Sequence, residues 1–111
     1  MSIYHKESET MKNTLILEIF DILKAKGIAL NESEFSEHWL GHSEGYVRKL
    51  RSTRSEPSMG AIAICASRLL NAANQLGSLP RYHALSQQLR QLGDRCREIV
   101  DAEAVEFELA A

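Results

Sequence analysis

The sequence predicts an all-α fold of five helices, the last of them long. Two patterns indicate it. Apolar residues recur every three to four positions in successive segments, which is the period of a helix that buries one face. No segment alternates β-branched and polar residues between hairpin turns, as a half-buried strand would. The 111 residues, 44% hydrophobic and 25% charged, have the composition of a globular domain and are enough for one modest core.

The first helix is predicted over residues 10–26. Its apolar residues follow one helical face, and Gly27 is placed to end it in the left-handed conformation that glycine adopts without strain. Residues 1–9 contain Glu7 and Glu9 and lack the basic start and apolar run of a secretory signal. We therefore expect a flexible N-terminus and a cytoplasmic location.

A short second and a short third helix are predicted close together. Asn31 and Glu34 have the spacing of a capping box, which begins a helix over about 32–40. Gly41 then permits a sharp bend, and Ser43 is a good N-cap for a third helix with the sequence EGYVRKLR. The two helices are expected to lie three residues apart.

Two longer helices complete the predicted fold. Pro57 suits the first turn of a helix, and the apolar stripe after it predicts a fourth helix over about 57–76, ending near Gly77. After the break GSLP, apolar residues recur at alternating steps of three and four, which predicts a fifth helix with an acidic tail. This heptad-spaced seam consists of Tyr82, Leu85, Leu89, Leu92, Cys96 and Ile99.

Charge is unevenly distributed along the chain, although the net charge is only −2. Residues 1–40 carry four basic and seven acidic side chains, residues 41–97 carry nine and three, and residues 98–111 carry none and five. The middle of the chain is therefore basic and both ends are acidic. Such segregation can create a local positive face, which a polyanion meets within a Debye length.

The segment FSEHWLGHSEGYVRKLRSTRSEPSMGAIAICASRLL combines these features. Over about residues 12–77 the chain resembles the lambda repressor-like, or xenobiotic-response-element-like, helix-turn-helix family of DNA-binding domains. The positions that carry the resemblance are Leu40-Gly41, Ser43, Val47, Pro57-Ser58, Ala66 and Leu69. The chain also resembles a family of small uncharacterised bacterial proteins with an FSxxWLGxSxxYxRxLR motif.

The helix-turn-helix resemblance implies a sequence-specific, DNA-binding transcriptional regulator that acts as a homodimer, with a recognition helix in the major groove of double-stranded DNA. It divides the chain into the flexible N-terminus 1–9, a helix-turn-helix domain over 10–77, and a C-terminal helix with acidic tail over 78–111. The residues expected at the DNA are His42, Ser43, Glu44, Gly45, Tyr46, Arg48, Lys49, Arg51 and Arg54.

The chain departs from that family pattern at three places, and one of them, the acidic start of the second helix, favours a second hypothesis. FSEHWLG is one residue longer than the usual first helix, Arg51 stands where a glutamate is common, and Glu32 and Glu34 would repel phosphate at the start of the second helix. The alternative is therefore a helix-turn-helix-like adaptor, or an antitoxin-like partner, that binds protein rather than DNA.

The fifth-helix seam is the expected homodimer interface, although packing onto the first helix would bury the same residues and stays open as the alternative. We expect no enzyme and no cofactor, since the sequence has neither a Gly-rich phosphate loop nor a nucleophile elbow. Cys65 and Cys96 lack CxxC spacing and are expected to be buried free thiols. Glu34, His38 and His42 recur every four residues but lack a further strong ligand, so no metal site is expected.

Overall fold

A computed structural model describes residues 3–110, with the side chains of residues 11–108. The helices are α1 (Ile3–Ala25), α2 (an α-helical turn Glu32–Glu34 that continues as a π-helical segment Phe35–Trp39), α3 (Tyr46–Thr53), α4 (Met59–Leu76) and α5 (His83–Ala110, after a 3₁₀ turn Pro80–Tyr82). Within this described range all regular secondary structure is helical. The predicted all-α class, the five helices and the long C-terminal helix are confirmed.

Helix ends differ from the sequence-based bounds at several places, including the starts of the first and fourth helices and the end of the fifth. The first helix begins at Ile3 rather than near residue 10, since the intervening residues are mostly polar helix formers with no glycine or proline. The fourth begins at Met59 rather than at Pro57, because Ser58 supplies its N-cap. The fifth runs through the acidic tail to Ala110, a segment rich in alanine and glutamate.

The chain divides into two compact units, with the boundary between Ala61 and Ile62. In the first unit, the apolar faces of the helices supply the core, and Phe20 of α1 meets Phe35 of α2 with ring centres 5.2 Å apart. The larger buried apolar side chains of this unit are Leu15, Ile16, Ile19, Phe20, Leu23, Phe35, Leu40, Val47 and Leu50.

The caps of α1 and α2 confirm two predictions made from single residues. Gly27 has φ 74°, the left-handed conformation expected after a helix. Asn31 is the N-cap of α2, and its side chain accepts a hydrogen bond from the Glu34 N–H at 2.9 Å. The Glu34 carboxylate accepts in turn from the Leu30 N–H at 2.8 Å, one residue before the N-cap itself.

In the second unit, α4 and α5 run antiparallel and approach closely. Ser86 donates to the Ala73 carbonyl at 2.7 Å, whereas the later residue Gly93 faces the earlier residue Leu70. A Cβ atom on Gly93 would lie 2.9 Å from the Leu70 side chain, so the absence of a side chain there permits the approach. The buried apolar residues of this unit are Ile62, Cys65, Ala66, Leu69, Ala73, Leu89, Leu92 and Cys96.

The heptad-spaced seam of α5 is largely covered by the chain itself. Leu89, Leu92 and Cys96 are buried, and the other three members, Tyr82, Leu85 and Ile99, are half-buried. The burial of these residues indicates that the seam packs within the chain rather than against a second copy. A homodimer therefore stays a prediction that needs a different surface.

Both cysteines are free and buried, as the sequence predicted. The hydrogen bond to Cys96, together with burial, raises the pKa of the Cys65 thiol well above its usual value. Cys65 is therefore a neutral thiol at physiological pH, which makes it a poor nucleophile.

None of the described helices combines the length and the apolar character needed to cross a lipid bilayer.

Candidate nucleic-acid interface

The turn between α2 and α3 contains six residues rather than the predicted three, because α2 ends at Trp39 and α3 begins only at Tyr46. Gly41 makes the bend with φ 67°, and the His42 N–H donates to the carbonyl of Ser36, six residues earlier, at 3.0 Å. The π-helical turns of α2 are wider than α-helical turns. Each of them spans one residue more between hydrogen-bonded groups than an α-helical turn does.

Ser36 joins α2 to α3 inside the core. Its hydroxyl donates to the Glu32 carbonyl at 2.8 Å and accepts from the buried Val47 N–H at 3.1 Å. It thereby satisfies one of the N–H groups that the start of α3 leaves without an intrahelical partner. Ser36 thus performs the capping role that the sequence analysis gave to Ser43.

The prediction that Ser43 is the N-cap of the third helix is wrong. The N-cap is Gly45, without a side-chain bond, and Ser43 lies two residues too early. Ser43 contributes its backbone instead, since its carbonyl accepts from the Tyr46 N–H at 3.1 Å and closes the turn.

The orientation of α3 follows the predicted register. Val47 and Leu50 are buried, while Arg48 and Lys49 are exposed on the opposite side of the helix. Among the described residues, neither Arg48 nor Lys49 forms an ion pair or a side-chain hydrogen bond. The outward face of α3, defined here by Arg48, Lys49 and Ser52, therefore presents two uncompensated cations.

Arg51 differs from these two cations because it already has an anionic partner. Its Nε atom lies 2.7 Å from Oε2 of Glu32, and its guanidinium carbon lies 6.0 Å from the centre of the Phe20 ring. Glu32, which the sequence analysis treated as a repellent of phosphate, thus also neutralises a predicted DNA contact.

His42 and Tyr46 hold the turn against the start of α4. Their rings are stacked, with centres 3.9 Å apart and planes at 7°. The Tyr46 hydroxyl accepts from the Ser58 N–H at 2.9 Å, and His42 Nε2 is hydrogen-bonded to Ser58 Oγ at 3.1 Å. Ser58 Oγ also accepts from the Ala61 N–H at 3.1 Å, which is the N-cap bond of α4. Both ring side chains are therefore engaged within the chain.

The other predicted contacts lie at the two ends of α3. Ser43 and Glu44 are exposed in the turn, Gly45 is half-buried, and Arg54 is exposed at the C-cap with φ 53°. Arg48 and Lys49 are thus exposed cations within α3, and Arg54 is an exposed cation directly after it. The other three predicted contacts are engaged within the chain: His42 and Tyr46 are hydrogen-bonded to Ser58, and Arg51 is hydrogen-bonded to Glu32.

Two positioning residues were missed by the sequence analysis. Ser36 lies beside an apolar residue, and a serine so placed in a helix is a weak signal of an internal hydrogen bond. Asn13 of α1 donates from Nδ2 to the carbonyls of Leu50 at 3.3 Å and Ser55 at 2.7 Å, at the end of α3 and beyond it. Only its polar side chain, next to the apolar stripe of α1, sets it apart in the sequence.

No three His, Cys, Asp or Glu side chains in the described part of the chain are grouped so that they could hold a metal ion. His38 is exposed, and His42 is engaged with Tyr46 and Ser58.

A family model described as a family of unknown function (DUF6626) matches residues 16–109, which include α2, α3, α4 and most of α5. Comparison with curated proteins and with solved structures gives no match.

Proposed function

Since the chain belongs to the DUF6626 family, whose function is unknown, we propose a function from the geometry of α3: a sequence-specific DNA-binding regulator of transcription. The observation that carries the proposal is the outward face of α3. Val47 and Leu50 anchor the helix in the core and leave two unpaired cations facing solvent. A helix braced by a preceding helix and exposed along one side fits the width of the DNA major groove.

Each exposed cation has a distinct role in this proposal. Arg48, in the first turn of α3, reads a base, because its guanidinium can donate two parallel hydrogen bonds to the O6 and N7 acceptors of guanine. Lys49 and Arg54 bind phosphates, which adds affinity but no sequence preference. His42 and Tyr46 act indirectly, by holding the turn on Ser58. The protein acts in the cytoplasm of a bacterial cell, where the chromosome lies.

If Arg48 reads a base and Lys49 binds a phosphate, replacing each by alanine should affect DNA binding differently. Arg48→Ala should weaken binding to the preferred sequence about tenfold and reduce discrimination between sequences. Lys49→Ala should weaken binding to all sequences alike and lower the slope of log affinity against log salt by about one. Selection of bound fragments from genomic DNA supplies the preferred sequence, and fluorescence anisotropy at several salt concentrations measures both quantities.

Lys26→Ala is the matched control for these variants, because it removes one exposed cation from a segment with no proposed DNA contact. Circular dichroism must show that each variant remains folded, since arginine stems also contribute packing. Equal binding by the folded Arg48→Ala/Lys49→Ala double variant and the parent would contradict the proposal.

The Glu32–Arg51 pair predicts a gain of function. Glu32→Gln should release Arg51, tighten DNA binding and steepen the salt dependence by about 0.9, the value for one additional phosphate contact. The fold should be little affected, because a partly exposed ion pair contributes about 0–1 kcal/mol. Adding Arg51→Ala should abolish the gain, as measured by the same anisotropy titration. A gain that persists without Arg51 would show that Glu32 acts by its charge alone.

The alternative function is a protein-binding adaptor, and one observation favours it. Val105 and Phe107 are 54% and 75% exposed within two residues of each other near the end of α5, where a protein partner could cover them. If the parent chain binds no DNA fragment at low salt, the adaptor becomes the leading hypothesis.

A further inference from the structure

The last turns of α5 form an exposed helical surface that the rest of the chain does not cover. All residues from Asp101 to Glu108 are exposed, among them Phe107 at 75%. Phe107 lies seven residues after Val100 and eleven after Cys96, so it is on the same side of the helix as these core-facing residues. The apolar stripe of α5 thus continues beyond the part of the helix that is buried.

This end of the helix carries charge of one sign only. Between residues 98 and 108 there are five acidic residues and no basic residue. Glu106 and Glu108 flank Phe107 in the sequence. Carboxylates pair with arginine and lysine, and an exposed aromatic ring on the same turn of the helix can bind the same cations over its face. The charge of this surface therefore selects a basic partner.

The chain itself contains a surface of the complementary kind. The outward face of α3 has two unpaired cations, Arg48 and Lys49, and Arg54 follows directly after the helix. Pairing of two α5 ends with each other would instead bring the four carboxylates of residues 101–108 against four, which repel at neutral pH. Charge complementarity thus favours contact between the acidic end of one copy and α3 of another.

We propose that the acidic end of α5, residues 101–108, binds the outward face of α3 in a second copy of the chain and competes there with DNA. The proposal rests on the DNA-binding role of that face. The proposed contact is reciprocal: in a pair of chains each surface is used once and the assembly is a closed dimer, whereas contacts that do not close would give larger oligomers in sedimentation. The dimer is the form without DNA, in which the outward face of α3 is covered. DNA has a higher charge density than the acidic segment and displaces it.

Sedimentation velocity of the full chain, without DNA, tests the pairing. We expect a dimer at an ionic strength of about 0.01 M, where the Debye length is about 30 Å. The dimer should dissociate as the ionic strength is raised to about 0.15 M, where the Debye length is about 8 Å. Glu106→Gln/Glu108→Gln should weaken self-association at least about tenfold, since each lost ion pair removes a charge-assisted contact. Asp21→Asn/Glu37→Gln removes two exposed carboxylates elsewhere and should leave self-association unchanged.

A charge exchange identifies the two surfaces. Arg48→Glu/Lys49→Glu and Glu106→Lys/Glu108→Lys should each be monomeric alone and should form a dimer when mixed in equal amounts. A monomeric parent at low salt, a mixture that stays monomeric, or a concentration-independent effect of the α5 substitutions on DNA binding would overturn the proposal.

A DNA duplex added to the parent separates this inference from the proposed function. Dissociation of the dimer as DNA binds supports both. If the dimer and the charge exchange are observed but no DNA binds at any salt concentration, the DNA-binding function fails and the pairing surface stands. If DNA binds and the dimer persists on the duplex, the competition is refuted.

Discussion

Replacing Phe35 by alanine should lower the free energy of unfolding by about 3–5 kcal/mol, the usual cost of truncating a buried phenylalanine. Phe35 is fully buried at the start of the π-helical segment of α2, and its ring contacts that of Phe20. Truncation removes this contact and leaves a cavity between two helices. Because small domains are stable by only about 5–15 kcal/mol, the variant should lose a large part of its stability.

Urea unfolding followed by the fluorescence of the single tryptophan, Trp39, measures this loss. The residue lies in the same helix and is half-buried, so its emission should report the unfolding of this unit. Leu30→Ala is the matched control, because Leu30 is 70% exposed and little of its surface is protected from water. A loss of less than about 1 kcal/mol for Phe35→Ala would contradict the packing described for α1 and α2.

The second large effect is expected from Ser36→Ala, at about 2–3 kcal/mol. The substitution changes little volume but removes the acceptor of the buried Val47 N–H, and an unsatisfied buried donor costs about 1–3 kcal/mol in addition to the lost bonds. Since Ser36 joins α2 to α3, the folded fraction of the variant should also bind DNA less tightly.

The same urea titration measures the stability of Ser36→Ala. Ser52→Ala removes a hydroxyl that, among the described residues, makes one exposed side-chain hydrogen bond of 3.3 Å to the Lys49 carbonyl, and it should change stability by less than about 0.5 kcal/mol. An unchanged unfolding midpoint for Ser36→Ala would mean that water or another group replaces the serine hydroxyl.

Local chemistry in the sequence was enough to predict the helices and several of their ends. Gly27 and Asn31 act within one turn of their own positions, so their roles follow from residue type and spacing. The burial of Val47 and Leu50, with Arg48 outside, follows from the helical period. These features needed no knowledge of tertiary contacts.

The parts that sequence analysis missed depend on residues far apart in the chain. Both Ser36 and Ser43 can cap a helix, and only the approach of α2 to the start of α3, eleven residues later, selects Ser36. The pairing of Arg51 with Glu32 spans nineteen residues and was invisible for the same reason. In α5, one heptad pattern is compatible with two partners, and only the burial of Leu89 and Leu92 favours the internal one.

The π-helical segment of α2 has a consequence for how this chain tolerates changes in length. In an α-helix, one inserted residue rotates everything after it by about 100° and would turn Leu40 away from the core. A π-helical turn takes up one more residue than an α-helical turn, and with it Phe35, Ser36 and Leu40 are all buried. Deletion of one residue from this segment should therefore convert the wider turns to α-helix, with Leu40 still buried and the orientation of α3 unchanged.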